Sequence, residues 1–189
     1  MPRRGPPVHR KPLDQSPSKL LAKYAAEIAQ NADGLILDVA CGYGRNAICL
    51  ASFDVPVICL DNDALALESV AAENERAGSG VIGLLTTRAI DLQRDAWPYA
   101  ANSIGAIISV DCVFHELVDR FASSLKIGGY LLIETIDGHG GNYLSLPEPG
   151  FFKRILQNTF AFRHFAERRV GPLGANAAST ALVAVKSSA

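Results

Sequence analysis

The residues able to do chemistry fall at three places, each at the end of an apolar run. The first is Asp38-Val39-Ala40-Cys41-Gly42-Tyr43-Gly44-Arg45-Asn46. Two glycines one residue apart let the backbone fold tightly and approach a ligand closely. A helix beginning near Arg45 would aim unpaired N–H groups at that ligand. Alone, the pattern describes a plain strand-to-helix turn equally well. The second place is Asp61-Asn62, with Asp61 23 positions after Asp38. An acid ending a second strand suits two ribose hydroxyls, because one carboxylate accepts both bonds. The third is Asp91-Leu92, a carboxylate able to accept from an exocyclic amine beside an apolar neighbour for a purine face. Each is an ordinary surface or structural residue when taken singly. In this order they point to a bound nucleoside.

The elements that must position these residues alternate. Ser16-Pro17 predicts a helix start, with Ser as cap and Pro in the first turn, and Leu20, Leu21, Tyr24, Ala25 and Ile28 at helical spacing. Apolar runs predict strands over 35–39, 55–60, within 81–90, over 104–110 and over 130–135. Helices are expected over 45–53, 64–76 (Leu65, Leu67 and Val70 inward), 114–125 (closed by Gly128-Gly129) and 151–157. Residues 160–169 and 181–186 read as two strands joined by the turn-rich Gly171-Pro172-Leu173-Gly174. The expected fold class is α/β: a doubly wound, mostly parallel seven-stranded sheet with a C-terminal antiparallel hairpin. Residues 1–15 read as a flexible basic tail and 16–189 as one domain. Ligands of such sheets bind beyond the carboxyl ends of the strands, at the switch point.

Two nucleoside classes compete for that place. Gly42, Gly44 and Ala47 match a loose dinucleotide fingerprint. Asp38 argues against it, since a carboxylate beside pyrophosphate would repel. It suits a ligand carrying an amino group and a sulfonium centre, which is S-adenosylmethionine. The run Ile36 to Asn46 then resembles the first motif of class I S-adenosylmethionine-dependent methyltransferases. Phe114-His115-Glu116-Leu117 and Leu125 to Glu134 are similar to that family's later motifs, so the resemblance covers about residues 16–186. The Arg45-Asn46 pair and the compact size resemble the small tellurite-resistance-type subgroup.

The resemblance implies roles residue by residue. Asp38 orders the loop and binds near the methionine amino group. Ala40, Gly42 and Gly44 line the methionine moiety with backbone, and Arg45 sits at the helix start. Asp61 holds the ribose, Asn62 lies beside the adenine and Asp91-Leu92 contact its edge. Asp111, or the backbone of Ser109 to Cys112, closes the methionine side. The sequence after the fourth strand is Asp111-Cys112-Val113-Phe114 rather than Asn/Asp-Pro-Pro-Tyr/Phe, which weighs against adenine and glutamine amino methyltransferases. A base is needed only where the acceptor is protonated. His115 is the candidate, with a packed or capping histidine as the competing reading. The glycine-rich stretch 137–150, with Gly138, Gly140 and Gly141 as hinges, is read as a lid over the methyl donor or as a plain connection.

Composition narrows the partners. The chain has 189 residues, 49% hydrophobic and 20% charged, as a folded domain requires. Its 18 Lys+Arg against 19 Asp+Glu give −1, which argues against a nucleic-acid binder held by bulk charge. Arg3, Arg4, Arg10 and Lys11 all lie in the first 12 residues, leaving 14 cations against 19 acids in the body. Gly5-Pro6-Pro7 stand where a secretory signal needs an apolar stretch. No run reaches the ~18 apolar residues of a membrane helix. Cys41, Cys49, Cys59 and Cys112 fit no metal-ligand spacing and read as buried reduced thiols of a cytoplasmic protein. The expected activity is methyl transfer to a small-molecule acceptor. Its rivals are a non-catalytic module that holds the adenosyl cofactor, and a nicotinamide-dependent oxidoreductase.

Overall fold

The structure, a computed structural model, describes residues 15–76, 84–112 and 115–187. Residues 1–14 of the basic tail, the start of the third expected strand and Phe114 at the expected start of a helix lie outside the described residues.

The chain runs α1 (Lys19–Asn31), β1 (Leu35–Val39), α2 (Arg45–Ala51), β2 (Val57–Asp61), α3 (Ala64–Arg76), β3 (Leu85–Ala89) and β4 (Ile104–Val110). A 3₁₀ turn (His115–Leu117) and α4 (Val118–Ser124) follow. Then come β5 (Leu125–Glu134), a 3₁₀ turn (Asn142–Ser145), α5 (Phe151–Leu156), β6 (Phe160–Val170) and β7 (Ala177–Lys186). The seven strands form one sheet in the order β3-β2-β1-β4-β5-β7-β6. β1, β2, β3, β4 and β5 are parallel, while β7 is antiparallel to both β5 and β6. The order reverses between β1 and β4, so the switch point lies at their carboxyl ends.

The pleat sorts the core into two layers. Ile36, Val57, Cys59, Ala106 and Ile108 face one side and pack against α1, α2 and α3. Leu37, Val39, Leu60, Ile107 and Leu131 face the other and pack against α4 and α5. All seven residues of β4 are buried, as a central strand covered on both faces must be.

Three local expectations are corrected. The cap of α1 is Ser18, not Ser16. Its Oγ accepts from Leu21 N–H at 2.9 Å, while its own N–H donates to Asn46 Oδ1 at 3.0 Å. Leu65 does not point inward: it is 62% exposed, and Ala66 takes the buried position. The helix before β5 stops at Ser124, and Gly128-Gly129 lie inside a bulge of β5. Leu125 pairs with Ile104 and Tyr130 with Ala106, so Lys126 to Gly129 loop out between two ladder positions. A Cβ on Gly129 would meet Lys126 O at 2.8 Å and Gly105 O at 3.0 Å. Two backbones therefore approach there closely, and only glycine permits it.

Candidate functional site

A cleft of about 390 Å³ opens at the β1/β4 switch point. Its floor is the turn after β1, where Ala40 (φ 55), Gly42 (φ 52) and Gly44 (φ 78) alternate with residues of ordinary backbone. Cys41 N–H donates to Leu60 O at 3.0 Å, which ties this turn to the end of β2. A Cβ on Gly42 would meet nothing within 4 Å. The backbone there faces open space, as a close ligand approach requires.

Asp61 at the end of β2 fixes the turn. Its Oδ2 accepts from Gly42 N–H at 2.8 Å and its Oδ1 from Asp63 N–H at 2.9 Å. Each oxygen keeps a lone pair for a further donor. Asp63 Oδ1 in turn accepts from Leu65 and Ala66 N–H, satisfying the first turn of α3. Across the cleft, Asp111 follows β4 at φ 56 and pairs with Arg45: Nη2 to Oδ2 is 2.6 Å. Arg45 Nη1 also donates to Ser16 O at 3.2 Å. Arg45 and Asn46 together hold the segment before α1 beside the cleft, where Gln15 forms part of the wall.

Asp38 sits behind the wall, 1% exposed. Its Oδ2 accepts from Ala47 N–H at 3.0 Å, so it caps α2 from beneath the turn. That N–H is consequently not aimed at a ligand, contrary to the expectation for this helix start. Burial pushes the Asp38 carboxyl up to about 7, helped by the nearby Asp61 and opposed by the Ala47 bond and Arg45. Gly44 also stands off the wall: a Cβ there would lie 2.7 Å from Val70 Cγ2. Its glycine serves the packing of α2 on α3. Cys112 lines the cleft with Sγ 2.8 Å from Ser109 Oγ, and burial pushes its thiol up to about 12.

The structure thus brings Ala40, Gly42, Arg45, Asp61, Asn62 and Asp111 around one cleft. Asp91 and Leu92 line an adjoining recess of about 120 Å³ that shares Ala40, Asp61 and Asn62 with the cleft. His115 is not on either wall. Its ring packs edge-on against Phe151, centroids 5.3 Å apart, and its Nδ1 lies 3.7 Å from Glu116 Oε2. Gly138 is not a free hinge either, because a Cβ there would meet Val170 Cγ2 at 2.6 Å. Sequence reasoning missed Gln15, Tyr43, Asp63 and Ala66. Asp63 carried a legible signal: an acid one residue before a helix.

A methyltransferase domain family matches residues 36–129. No curated protein matches the chain. Among solved structures, the MccD protein superposes with a TM-score of 0.65 at 11% identity, over 92% of this chain and 100% of its own. Geranyl diphosphate C-methyltransferase of Streptomyces coelicolor A3(2), solved with S-adenosyl-L-homocysteine, gives 0.62 at 12%, over 87% and 78%. The [4+2]-cyclase SpnF gives 0.61 at 14%, over 87% and 81%. Residues 36–129 are thus similar to a methyltransferase domain, and the seven-stranded sheet that contains them has the class I methyltransferase fold.

Proposed function

We propose that the chain transfers a methyl group from S-adenosylmethionine to a small-molecule acceptor. The observation that carries this reading is the Asp61–Gly42 tether at the switch point, which presents a carboxylate and an open glycine backbone to one cleft. The donor set fits the cofactor. Asp61 has lone pairs left for ribose hydroxyls, and Asn62 with Asp91 and Leu92 shape a recess for the adenine. Ala40 and Gly42 offer backbone to the methionine part, and Asp111 bounds its far side. Asp38 and Gly44 serve from behind, by holding α2 in place. A pyrophosphate fits poorly. Asp38 occupies Ala47 N–H, and Arg45, the only cation on the wall among the described residues, is paired with Asp111.

Bound there, S-adenosylmethionine would supply a methyl carbon on a sulfonium, a leaving group that needs no activation. The residues of the chain then have one main task, alignment. The Asp61 tether fixes the floor, and the Arg45–Asp111 pair fixes the opposite rim. His115 has no part in cofactor binding in this reading; it stands as the candidate base for an acceptor that needs one. Within the family, the adjacent Arg45 and Asn46 keep the small tellurite-resistance-type subgroup as the finer assignment.

Calorimetric titration with S-adenosylhomocysteine tests the cofactor. Wild type binds, and Asp61→Ala binds at least ten-fold more weakly, since a charged acceptor is worth about 1.5–3 kcal/mol. No heat from wild type, or equal affinity in the variant, removes the reading. Saturable heat from a nicotinamide dinucleotide instead would select the oxidoreductase. Methyl-labelled S-adenosylmethionine separates enzyme from module: the enzyme moves label onto an acceptor, the module retains it.

A further inference from the structure

A second cavity, about 340 Å³, adjoins the first at Asp111 and lies beyond the carboxyl ends of β4 and β5. There the β5–β7 ladder becomes irregular, although Thr135 N–H still donates to Thr180 O at 2.9 Å. Glu134 still pairs with Ala181, but Thr135 turns its side chain into the seam, and its Oγ1 takes Thr180 N–H at 2.9 Å. Thr180 is left 2% exposed with its own Oγ1 unpartnered. Glu134 Oε2 is also a buried atom without a partner. Both residues line this cavity. Buried hydroxyls and carboxylate oxygens are normally satisfied, so two orphans in residues that line one cavity point to a ligand there.

The charges say which ligand. Three carboxylates border the cavity: Glu134, Asp111 and Asp137. Asp111 is answered by Arg45, and Asp137 by His139 at its side, whose backbone bond holds that carboxyl below its usual range. Arg168 stands near, its Nη2 donating to Asp137 O at 3.1 Å. Among the described residues Glu134 has no ion-pair partner. An anion entering here meets unanswered negative charge. Only a donor satisfies a carboxylate oxygen, and ammonium or guanidinium groups carry several donors and no acceptor. The unanswered carboxylate and the need for several donors together point to an organic cation.

We propose that this cavity is the acceptor subsite and that it takes a small organic cation, an amine or guanidine, held by Glu134 and Thr180. The proposal rests on the methyltransferase reading, because it makes the cation the acceptor's handle. A protonated nitrogen has no lone pair, so the handle is not the atom methylated. The nucleophile lies elsewhere on the ligand, on the side where the cavity meets the cofactor cleft.

The test uses the full chain, with S-adenosylhomocysteine added and without it, and three matched probes near neutral pH: propylamine, propanol and propionate. Amide NMR titration should show saturable shifts at Thr135 and Thr180 with propylamine and none with propionate. Glu134→Gln should weaken propylamine at least ten-fold. Thr180→Val should weaken it several-fold yet raise Tm by ~2–4 °C, because an unsatisfied buried hydroxyl is removed. Propionate or propanol binding as tightly as the amine, or unchanged amine affinity in Glu134→Gln, overturns the proposal. So does a Glu134→Gln chain that loses S-adenosylhomocysteine, which would make the cavity part of the cofactor site. A wild type that binds propylamine but not S-adenosylhomocysteine overturns the methyltransferase reading and leaves the cation site standing. One that binds S-adenosylhomocysteine but not propylamine overturns the cation site alone.

Discussion

Two glycines of one turn separate ligand contact from packing at the scale of single atoms. Gly42 has left-handed backbone and open space where its Cβ would be, on the cleft wall. Gly44 has left-handed backbone and Val70 Cγ2 2.7 Å from that point, away from the cleft. Gly42→Val should therefore cost about 1–2 kcal/mol of stability through its backbone alone, while its side chain fills the cleft. Circular dichroism is expected to stay native and S-adenosylhomocysteine heat to vanish. Gly44→Ala should cost about 2 kcal/mol or more, because overpacking adds to backbone strain, with affinity reduced far less in the fraction that is folded. Reversed outcomes, a tight-binding Gly42→Val or a stable non-binding Gly44→Ala, would show that the wall has been assigned to the wrong side of the turn. The sequence showed both glycines and the acid at Asp61. It did not show which glycine faces the ligand, because that depends on Val70 of α3, 26 positions away.

Elements with a local signal were legible, and those set by a partner strand were not. The apolar run of β4 and the alternation of strand and helix identified the parallel sheet. The turn at Gly171 to Gly174 identified the closing hairpin. Gly128-Gly129 was misread as a helix stop, since a glycine pair after an amphipathic run is what helix ends look like. Its real cause is Gly105 on β4, whose carbonyl approaches too closely for any Cβ at Gly129. This element makes its own prediction. Gly129→Ala must open the β4–β5 seam at two backbone carbonyls and should cost about 2–3 kcal/mol. Gly128→Ala faces open space and carries only a left-handed φ of 80, about 1 kcal/mol. Denaturant midpoints of the two variants rank them. A Gly129→Ala chain as stable as Gly128→Ala would mean the bulge relaxes freely. The stretch 137–150, read from its glycines as a lid or a plain connection, contains a 3₁₀ turn. Leu146 and Tyr143 pack with Val170 and Ala177, and Asp137 and Asn142 line the second cavity.

The whole molecule couples its proton balance to its fold through Asp38, which the doubly wound architecture seals between β1 and α2. The sheet can be read from the sequence, but the burial of this acid cannot, because a strand-end aspartate looks the same whether it faces ligand or helix. Its folded pKa is raised to about 7, with burial the leading cause, against 3.8 for the ordinary group. The folded state therefore holds the proton more tightly than the unfolded chain. The stability this gives is fully present below about pH 4 and is lost as pH rises through 7, with a ceiling on the order of 4 kcal/mol. Asp38→Asn keeps an oxygen for Ala47 N–H and has no proton to lose. Other carboxylates shape the pH dependence of both chains alike, so the difference between them isolates this residue. At pH 4 the folded wild type keeps its proton on Asp38 and the unfolded chain has released only part of its own, so the two chains should melt close together. At pH 8 the wild type must bury a charge, and Asp38→Asn should be the more stable by several degrees in Tm. Thermal melts at the two pH values decide. A variant that is destabilised equally at both would mean that Asp38 is ionised in the fold throughout and that its charge on the start of α2 outweighs the cost of its burial.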